Sequence, residues 1–174
     1  TIYRDSFGVP HIYSPTDAGV VFGLMYAQAE DNFWQLEEDY IRALGRASEL
    51  YGEKELVRDL LHRALEVNRL AREEYERAGP ATRRLCDAFA AGLNYFLARN
   101  PQVQPRLLTR FEPWHIFAFE RAVQRGAWGL SPEEIRKAMP PAGEPGRPAQ
   151  AGIPVPPAPE PEPDDGSNMW VIGP

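Results

Sequence analysis

Gly166 and Ser167 are the two residues of this sequence best suited to covalent chemistry. A serine hydroxyl is a weak nucleophile and needs a base. If the peptide bond between them is cut, the new α-amino group lies on Ser167 itself. Because the ordinary pKa of such a group is about 7.7–8.0, a substantial fraction of it is neutral near neutral pH and can act as that base. Glycine before the serine leaves the hydroxyl free to attack the Gly166 carbonyl. The pair has the chemistry of a self-cleaving site, but Gly-Ser is a common dipeptide, and taken without context it is more often a flexible joint.

Residues 140–166, which directly precede the serine, have the composition of a spacer. They contain ten prolines interspersed with alanine, glycine and glutamate, and proline can neither continue a helix nor pair in a central strand. We expect a semi-extended, exposed linker that leaves the site after cleavage. Residues 167–174 (SNMWVIGP) are again apolar and strand-like. Because a strand without a partner does not normally end a domain, we expect a larger second chain to follow Pro174.

Residues 1–139 are expected to form a mostly helical region that begins with an extended segment. Residues 1–13 contain β-formers, and Pro10 restricts them to a sheet edge or a strand start. Beyond them, apolar residues recur at helical spacing, with charged residues as a solvated face and aromatic residues as core. Helix starts are predicted at residues 14–17 (SPTD), with Ser14 as the cap and Pro15 in the first helical position, at Asp31, at residues 79–80 (GP) and at Pro113. Residues 53–78 are predicted as a strongly charged helical stretch, and residues 131–139 as a short helix.

Composition and charge argue against several other classes of function. The net charge of -6 disfavours nucleic-acid binding, which needs a clustered positive face. No apolar run reaches the roughly 18 residues of a membrane span. The single cysteine, Cys86, allows no internal disulfide and is expected to be a buried thiol, and three scattered histidines give no zinc pattern. The start of the chain lacks the basic and apolar regions of a signal peptide. A signal peptide is removed from an exported protein, so this observation does not argue against export.

Four segments in a fixed order carry a resemblance to a known family. They are residues 4–5 (RD) with 8–12 (GVPHI), residues 27–31 (AQAED) with 34–37 (WQLE), residues 45–49 (GRASE), and residues 167–173 (SNMWVIG). The first three resemble the α chain of the penicillin acylase family, and the last resembles the start of its β chain, with the expected glycine before it. The chain is therefore identified as a member of that family on the order of these segments.

The resemblance implies the fold and the reaction. The fold class is α+β, and the chain is the mostly helical N-terminal fragment, the α chain, of a four-layer αββα N-terminal nucleophile hydrolase. A precursor is implied to cut itself between Gly166 and Ser167. Ser167 then attacks linear acyl amides, as in penicillins, cephalosporins, acyl-homoserine lactones and lipopeptides, with its own amine as the base. The oxyanion-hole groups of such enzymes lie beyond Pro174, and we expect Asn168 to be structural.

The resemblance also implies partners and a cellular location. The α chain, residues 1–139, is expected to join the β chain of the same precursor as a heterodimer, with residues 140–166 as the spacer and residues 167–174 as the start of the β chain. No organic cofactor, nucleic acid or membrane is involved, and the enzyme is expected to be periplasmic or secreted.

Two further site predictions are implied by the same resemblance. Family members often hold a structural calcium ion with a carboxylate in a Ser-x-x-Glu-Ile context, which points to Glu134, and the alternative role of Glu134 is a helix-capping acid. Family members also use an arginine and an aromatic residue in the acyl pocket. Trp128 falls at the aromatic position, but Ala127 precedes it and the nearest arginine is Arg125. The alternative role of Trp128 is plain core, and His11 is interpreted as structural.

A rival hypothesis from another class is a helical interaction module. Its proline-rich tail would bind an SH3-like or WW-like groove through polyproline II segments such as residues 154–157 (PVPP). This hypothesis explains the linker but neither the strand after it nor the four ordered segments. A downstream sequence of several hundred residues favours the enzyme, and a natural stop at Pro174 favours the module.

Overall fold

The computed structural model describes residues 1–127, and these residues fold mainly into helices. Two short strands come first, and six helices follow within the described residues. In chain order the elements are β1 (Ile2–Arg4), β2 (Pro10–Ile12), α1 (Asp17–Ala43), α2 (Ser48–Tyr51), α3 (Glu53–Ala64), α4 (Val67–Arg77), α5 (Pro80–Arg99) and α6 (His115–Ala127). The expected helical region with an extended start is confirmed for this part of the chain.

The two strands form an antiparallel hairpin in which Ile2 lies opposite Ile12. Asp5 holds the turn, because its Oδ1 accepts hydrogen bonds from two backbone N–H groups of the turn at 2.9 Å and 3.0 Å. Gly8 has a φ of +82°, a conformation that favours glycine. Pro10 is the first residue of β2, as its missing N–H predicted.

The first helix begins later than residues 14–17 suggested. Thr16 is the N-cap, and its Oγ1 accepts a hydrogen bond from the Gly19 N–H at 3.1 Å. The cap expected at Ser14, with Pro15 in the first helical position, is wrong, because Thr16 is still extended (φ -135°, ψ 147°). Ser14 instead accepts a hydrogen bond from the Thr16 N–H at 3.3 Å and shapes the approach to the helix.

Helix α1 is kinked near the restart predicted at Asp31. The break lies at Asn32, whose backbone is non-helical (φ -158°, ψ 66°). The Asn32 Oδ1 accepts a hydrogen bond from the Gln35 N–H at 3.4 Å and so starts the second arm as a cap does. The first arm packs on the hairpin, where a Cβ on Gly23 would lie 2.7 Å from Ile12. The second arm leads into the core.

The charged stretch of residues 53–78 forms two helices, α3 and α4, with a break between them. Glu66 lies at the break in the left-handed conformation (φ 53°), which only a few per cent of non-glycine residues adopt. Its carboxylate pairs with Arg69 at 2.6 Å. Most of the charges are solvated as predicted, but Asp59 and His62 are buried, so the prediction of a wholly solvated charged face is wrong at these positions.

The starts of α5 and α6 follow the proline signals. Helix α5 begins at Pro80, and α6 begins at His115, two residues after Pro113. Cys86 on α5 is buried as predicted, and this burial raises the pKa of its thiol.

Aromatic side chains form the centre of the core between α1, α5 and α6. The ring centroids of Phe33 and Phe96 lie 5.7 Å apart, and those of Tyr40 lie 5.4 Å from Phe89 and 5.2 Å from Phe119. Ring pairs at these separations add to the free energy gained by burial. The prediction that the aromatic residues after Pro113 are core is confirmed for Trp114, which is buried, while Phe117 and Phe119 are partly buried against the same core.

Helices α1 and α5 approach each other closely at Gly92. A Cβ added to Gly92 would lie 2.5 Å from the backbone oxygen of Phe22 and 3.1 Å from the Cβ of Met25. No side chain larger than hydrogen fits there without moving the two helices apart. The contact fixes the direction in which α1 crosses α5.

Candidate functional site

The predicted site residues lie on both sides of the end of α6, which is also the end of the described residues. The backbone of Arg125 lies in the last turns of α6. The cleavage pair Gly166 and Ser167, the pocket residue Trp128 and the calcium ligand Glu134 lie outside the described residues, as do the predicted helix 131–139, the spacer 140–166 and the segment 167–174. These remain predictions, and the described residues form the scaffold that leads to them.

Helix α6 connects the scaffold to the predicted acyl pocket, because Trp128 directly follows its last residue, Ala127. Ala118 is fully buried, and the Phe119 ring packs on Tyr40 of α1. One turn later, Arg121 forms an ion pair with Glu74 of α4 at 2.5 Å. The helix is therefore fixed against both α1 and α4 before the chain reaches Trp128.

The first residues of α6 are anchored by a neutral histidine. His115 is buried, and its Nδ1 accepts a hydrogen bond from the backbone N–H of Glu112 at 3.2 Å. Burial, with the positive charges of Arg72 and Arg46, lowers the pKa of His115 to about 4. The Arg72 guanidinium lies 3.9 Å over the Trp114 ring. Because its proton is carried on Nε2 and its pKa lies far below 7, His115 keeps one hydrogen-bonding state at neutral pH.

Two of the segments that carry the resemblance meet in the structure. The Arg4 Nη2 lies 2.8 Å from the Glu30 carboxylate and 2.7 Å from the Asp31 carboxylate, and so joins the hairpin to the first arm of α1. His11 contacts Asp5 at 3.1 Å, and this hydrogen bond is the largest cause of the lowered pKa of Asp5. Arg4, Asp5 and His11 thus hold the hairpin in place, in agreement with the structural role expected for His11.

The segment at residues 45–49 forms the connection after α1. Gly45 has a φ of +66°, and a Cβ there would lie 2.6 Å from the Cβ of His62. The buried carboxylate of Asp59 accepts hydrogen bonds from the Ala47 N–H at 3.2 Å and from the Ser48 N–H at 2.7 Å. Asp59 therefore caps the start of α2 from another helix. The segment itself was found from the sequence, but this partner was not.

Glu37, in the segment at residues 34–37, is fully buried. Its carboxylate accepts hydrogen bonds from the backbone N–H groups of Arg106 (3.1 Å), Leu107 (2.8 Å) and Leu108 (2.9 Å). These three donors satisfy a charge that would otherwise be very costly to bury. Glu37 thereby fixes the loop between α5 and α6, and through it the place where α6 begins.

Glu38 forms the centre of a charged cluster on the neighbouring surface. Its carboxylate accepts hydrogen bonds from the Tyr51 hydroxyl, from Arg42 at 2.7 Å and from Arg106 at 2.7 Å. These bonds, led by that from Tyr51, lower the pKa of Glu38 to about 2. The cluster joins α1, α2 and the loop before α6. Arg42 lies only four residues from Glu38, but Tyr51 and Arg106 lie 13 and 68 residues away, so the sequence alone did not reveal the cluster.

The scaffold carboxylates do not assemble a metal centre. Among residues 1–127, no group of three histidine, cysteine, aspartate or glutamate side chains is placed to hold a metal ion. Each of Glu37, Glu38 and Asp59 is engaged by N–H or O–H donors of the scaffold. None of the helices within this part of the chain is long and apolar enough to cross a bilayer.

Comparison with known families covers the whole sequence. The family described as Penicillin amidase matches residues 1–174. The chain belongs to the penicillin amidase family. The family predicted from the four ordered segments is confirmed, and the match extends through residues 128–174, where the predicted nucleophile lies.

Relatives within the penicillin amidase family carry two kinds of name. The chain is 32% identical over 126 residues to the penicillin acylase 2 proenzyme of Pseudomonas sp. (strain SE83). This alignment covers 69% of this chain and 16% of that protein. The chain is 34% identical over 110 residues to the acyl-homoserine lactone acylase QuiP of Pseudomonas syringae pv. tomato. This alignment covers 63% of this chain and 13% of that protein. The aligned parts are thus about a sixth or less of the length of these relatives.

A solved structure of the family shows the same fold. A thermostable penicillin G acylase from Alcaligenes faecalis superposes with a TM-score of 0.64 at 14% sequence identity. The superposition covers 89% of this chain and 97% of that chain. The mostly helical arrangement with one small hairpin is therefore the fold of a penicillin acylase fragment.

Proposed function

We propose that this chain is the N-terminal part of a self-processing amidohydrolase of the penicillin acylase type. The observation that carries the proposal is the family match from residue 1 to residue 174, which includes Gly166 and Ser167. The relatives are named as acylases of penicillin and of acyl-homoserine lactones, and one is named a proenzyme. Penicillins and acyl-homoserine lactones share a linear acyl amide, which a nucleophilic serine can attack.

Self-cleavage comes first in this proposal. The Ser167 hydroxyl attacks the carbonyl carbon of Gly166 and loses its proton, while the bond from that carbon to the Ser167 nitrogen breaks and the nitrogen gains a proton. Gly166 is then held as an ester on the Ser167 oxygen. Water hydrolyses this ester, which leaves a carboxylate on Gly166 and a free α-amino group on Ser167.

The substrate reaction uses the groups that cleavage creates. The neutral α-amino group of Ser167 accepts the hydroxyl proton as the oxygen attacks the amide carbonyl of the substrate. The leaving amine takes a proton, the acyl group stays on the Ser167 oxygen as an ester, and water then releases it as a carboxylic acid. One residue thus supplies both the nucleophile and the base.

Helix α6 is proposed to present the acyl pocket. Trp128, which follows the helix, supplies an apolar wall for the acyl group, and Arg125 lies one turn before it. The substrate class is a linear acyl amide: the side chain of a penicillin or cephalosporin, an acyl-homoserine lactone or a lipopeptide. The relatives with both kinds of name support this class without favouring one member of it.

The rest of the assembly follows from the same proposal. Residues 1–139 act as the α chain, and a β chain that begins at Ser167 completes a heterodimer with the four-layer αββα fold. Glu134 supplies one carboxylate to a structural calcium ion, with the other oxygen ligands from the β chain, since one carboxylate alone binds calcium weakly. The enzyme is proposed to work in the periplasm or outside the cell. The comparisons give no support to the interaction module.

The intact mass of the full-length gene product tests the proposal. We expect the wild type to appear as two chains, the larger of which begins at Ser167. The Ser167→Ala variant should stay whole, because it lacks the hydroxyl that attacks Gly166. Ser6→Ala, at an exposed position of the hairpin turn, is the matched control and should be cleaved like the wild type.

Either result is informative. If both the wild type and Ser167→Ala stay whole over days at neutral pH, Ser167 is not the nucleophile and the proposal fails. If cleavage occurs as expected, the processed enzyme is assayed on a penicillin and on a series of acyl-homoserine lactones. The ratio of kcat/KM values then gives the preferred acyl group.

A further inference from the structure

We propose that a groove between α4 and the loop before α6 binds a small carboxylate ion through Arg72 and His115. The groove encloses about 280 Å³, slightly less than the range of about 300–1,000 Å³ that is typical of small-molecule sites. Trp114 lines it, together with the polar side chains of Arg46, Asn68, Arg72, Thr109, Arg110, Glu112 and His115. Binding of an ion here is separate from the proposed acylase reaction.

The indole ring of Trp114 holds both proposed donors in place. Trp114 is buried, and the Arg72 guanidinium lies 3.9 Å from the centroid of its ring. The His115 ring meets the same indole edge-on, with the two centroids 4.4 Å apart. Because the N–H groups of a guanidinium lie in its plane, stacking on the indole leaves them available to a ligand. Arg72 and His115 therefore present their donors from one rigid support.

Both donors are unused within residues 1–127. Arg72 stacks on the indole but makes no ion pair or hydrogen bond in this part of the chain. His115 is only 5% exposed, and its Nδ1 accepts the hydrogen bond from Glu112, so its proton is on Nε2. The Nε2–H has no acceptor among the same residues, whereas buried polar groups normally have a partner. A carboxylate supplies two acceptor oxygens, one for each donor.

The charge balance of the groove favours a monovalent ion. Arg46 pairs with Glu49 at 2.7 Å, and Arg110 pairs with Glu112 at 3.0 Å. Of the three arginines that line the groove, only Arg72 forms no ion pair within the described residues. One positive charge is therefore uncompensated, and a carboxylate matches it. A phosphate dianion would also be repelled by the two glutamates.

The test follows the indole of Trp114 in the full-length protein, because this ring contacts both donors. The protein is labelled with 5-fluorotryptophan, and the 19F resonance of Trp114 is assigned by comparison with a Trp114→Phe variant. Sodium acetate is the probe, and sodium chloride at the same ionic strength is the reference salt. We expect acetate to shift the Trp114 resonance in a saturable way and chloride to leave it unchanged.

Substitutions of Arg72 identify the group that binds the ion. Arg72→Gln should weaken acetate binding about tenfold or more, since a charge-assisted hydrogen bond is lost. Arg72→Lys should weaken it nearly as much, because lysine keeps the charge but not the planar donors or the stacking. Arg84→Gln, at an exposed position of α5 outside the groove, is the matched control and should stay within about twofold of the wild type.

The pKa of His115 in the full-length protein gives a second readout, from NMR of 15N-labelled histidine. The positive charges of Arg72 and Arg46 contribute to lowering this pKa. A bound carboxylate offsets those charges, so saturating acetate should raise the pKa of His115 in the wild type but not in Arg72→Gln. An unchanged pKa in the wild type would show that the ion does not bind beside His115.

Three other results would overturn the proposal. Acetate may leave the Trp114 resonance in place, or shift it equally in the wild type and Arg72→Gln, and either result means that Arg72 does not hold the ion. Tighter binding of inorganic phosphate than of acetate would contradict the carboxylate as the ligand. If acetate has no effect and Arg72→Gln lowers the unfolding midpoint more than Arg84→Gln does, a carboxylate of the protein itself occupies the groove.

Discussion

Carboxylates that bind backbone and side-chain donors do most of the positioning at the scale of single residues. Glu37, Glu38 and Asp59 each hold a loop or helix start that lies elsewhere in the sequence. The resemblance pointed to the segment that contains Glu37, but it gave no partner for the carboxylate. The partners lie 69 to 71 residues away, and nothing in the local spacing of residues reveals them.

Replacing the buried carboxylate Glu37 should be strongly destabilising. In Glu37→Gln the amide NH2 would face backbone N–H groups, so at least one donor would lose its acceptor. We expect a loss of about 3 kcal/mol in the free energy of unfolding, with faster amide exchange at residues 106–108. Gln35→Ala, two residues away at an exposed position, is the control. Equal stability of the two variants in a denaturant titration would contradict this.

The cluster around Glu38 predicts a pH dependence of stability. The folded-state pKa is about 2, below the unfolded value of 4.5, so the charged carboxylate stabilises the fold above pH 4.5. This contribution is lost as the pH falls through 4.5 towards 2, because the carboxylate takes up a proton. Glu38→Gln should therefore cost about 1 to 2 kcal/mol at pH 7, after allowance for solvent screening, and little at pH 2.

Unfolding midpoints of Glu38→Gln and the wild type, measured between pH 2 and pH 7, check this prediction. Asp39→Asn serves as the control, because Asp39 accepts only a hydrogen bond from Gln35 of its own helix. If the unfolding midpoints of Glu38→Gln and the wild type differ by the same amount from pH 2 to pH 7, the charge of the Glu38 carboxylate does not stabilise the fold, and the prediction is wrong.

At the scale of elements, proline positions and hydrophobic spacing were sufficient to predict which helices and strands form. Capping residues predicted the exact starts of helices less well. The starts of β2 and α5 followed from Pro10 and Pro80, whose geometry is local. The break at Glu66 was missed because a left-handed residue is usually a glycine, and tertiary packing imposes the conformation here. The start of α1 was placed too early, since the threonine and serine at residues 14–17 are both acceptable caps.

The close approach of α1 and α5 gives a prediction for Gly92. In Gly92→Ala the new methyl group would lie 2.5 Å from the Phe22 backbone oxygen, so the helices must separate. We expect a cost of about 2 to 3 kcal/mol in thermal or denaturant unfolding. Gly79→Ala is the matched control, because no atom lies within 4 Å of a Cβ there. Since Gly79 is the N-cap of α5, where alanine is less favourable than glycine, we expect a cost of about 1 kcal/mol or less. Similar stability of the two variants would show that α1 and α5 accommodate the methyl group.

At the scale of the whole molecule, the scaffold and the proposed nucleophile lie in different parts of the chain. The described residues include α6, which packs on α1 and α4. The predicted nucleophile lies 40 residues after the end of that helix. The sequence indicated this division because the spacer and Ser167 have local signals. The sequence could not indicate the acyl preference, since Ala127 stands where the resemblance expects an arginine and a pocket's shape depends on packing across several elements.

The proposed dependence of activity on cleavage gives a prediction for the full precursor. While the Ser167 nitrogen is part of a peptide bond, no α-amino group is available as the base. A Gly166→Val precursor, in which a branched side chain crowds the attack, should stay uncut and hydrolyse acyl amides at least a hundredfold more slowly than the processed enzyme. Mass spectrometry and a lactone assay on one preparation check both statements. A precursor that is whole and fully active would contradict the mechanism.

The fixed position of Glu37 between distant parts of the chain bears on the order in which the protein folds. Its carboxylate can lose its hydrating water only when the backbone amides of residues 106–108 are close enough to replace that water. Those amides lie 69 to 71 residues further along the chain. Closing so long a loop before α1 and α5 have paired would lose entropy with little gain in contacts. The bond should therefore form after the rate-limiting step, so that its loss accelerates unfolding and leaves the folding rate almost unchanged.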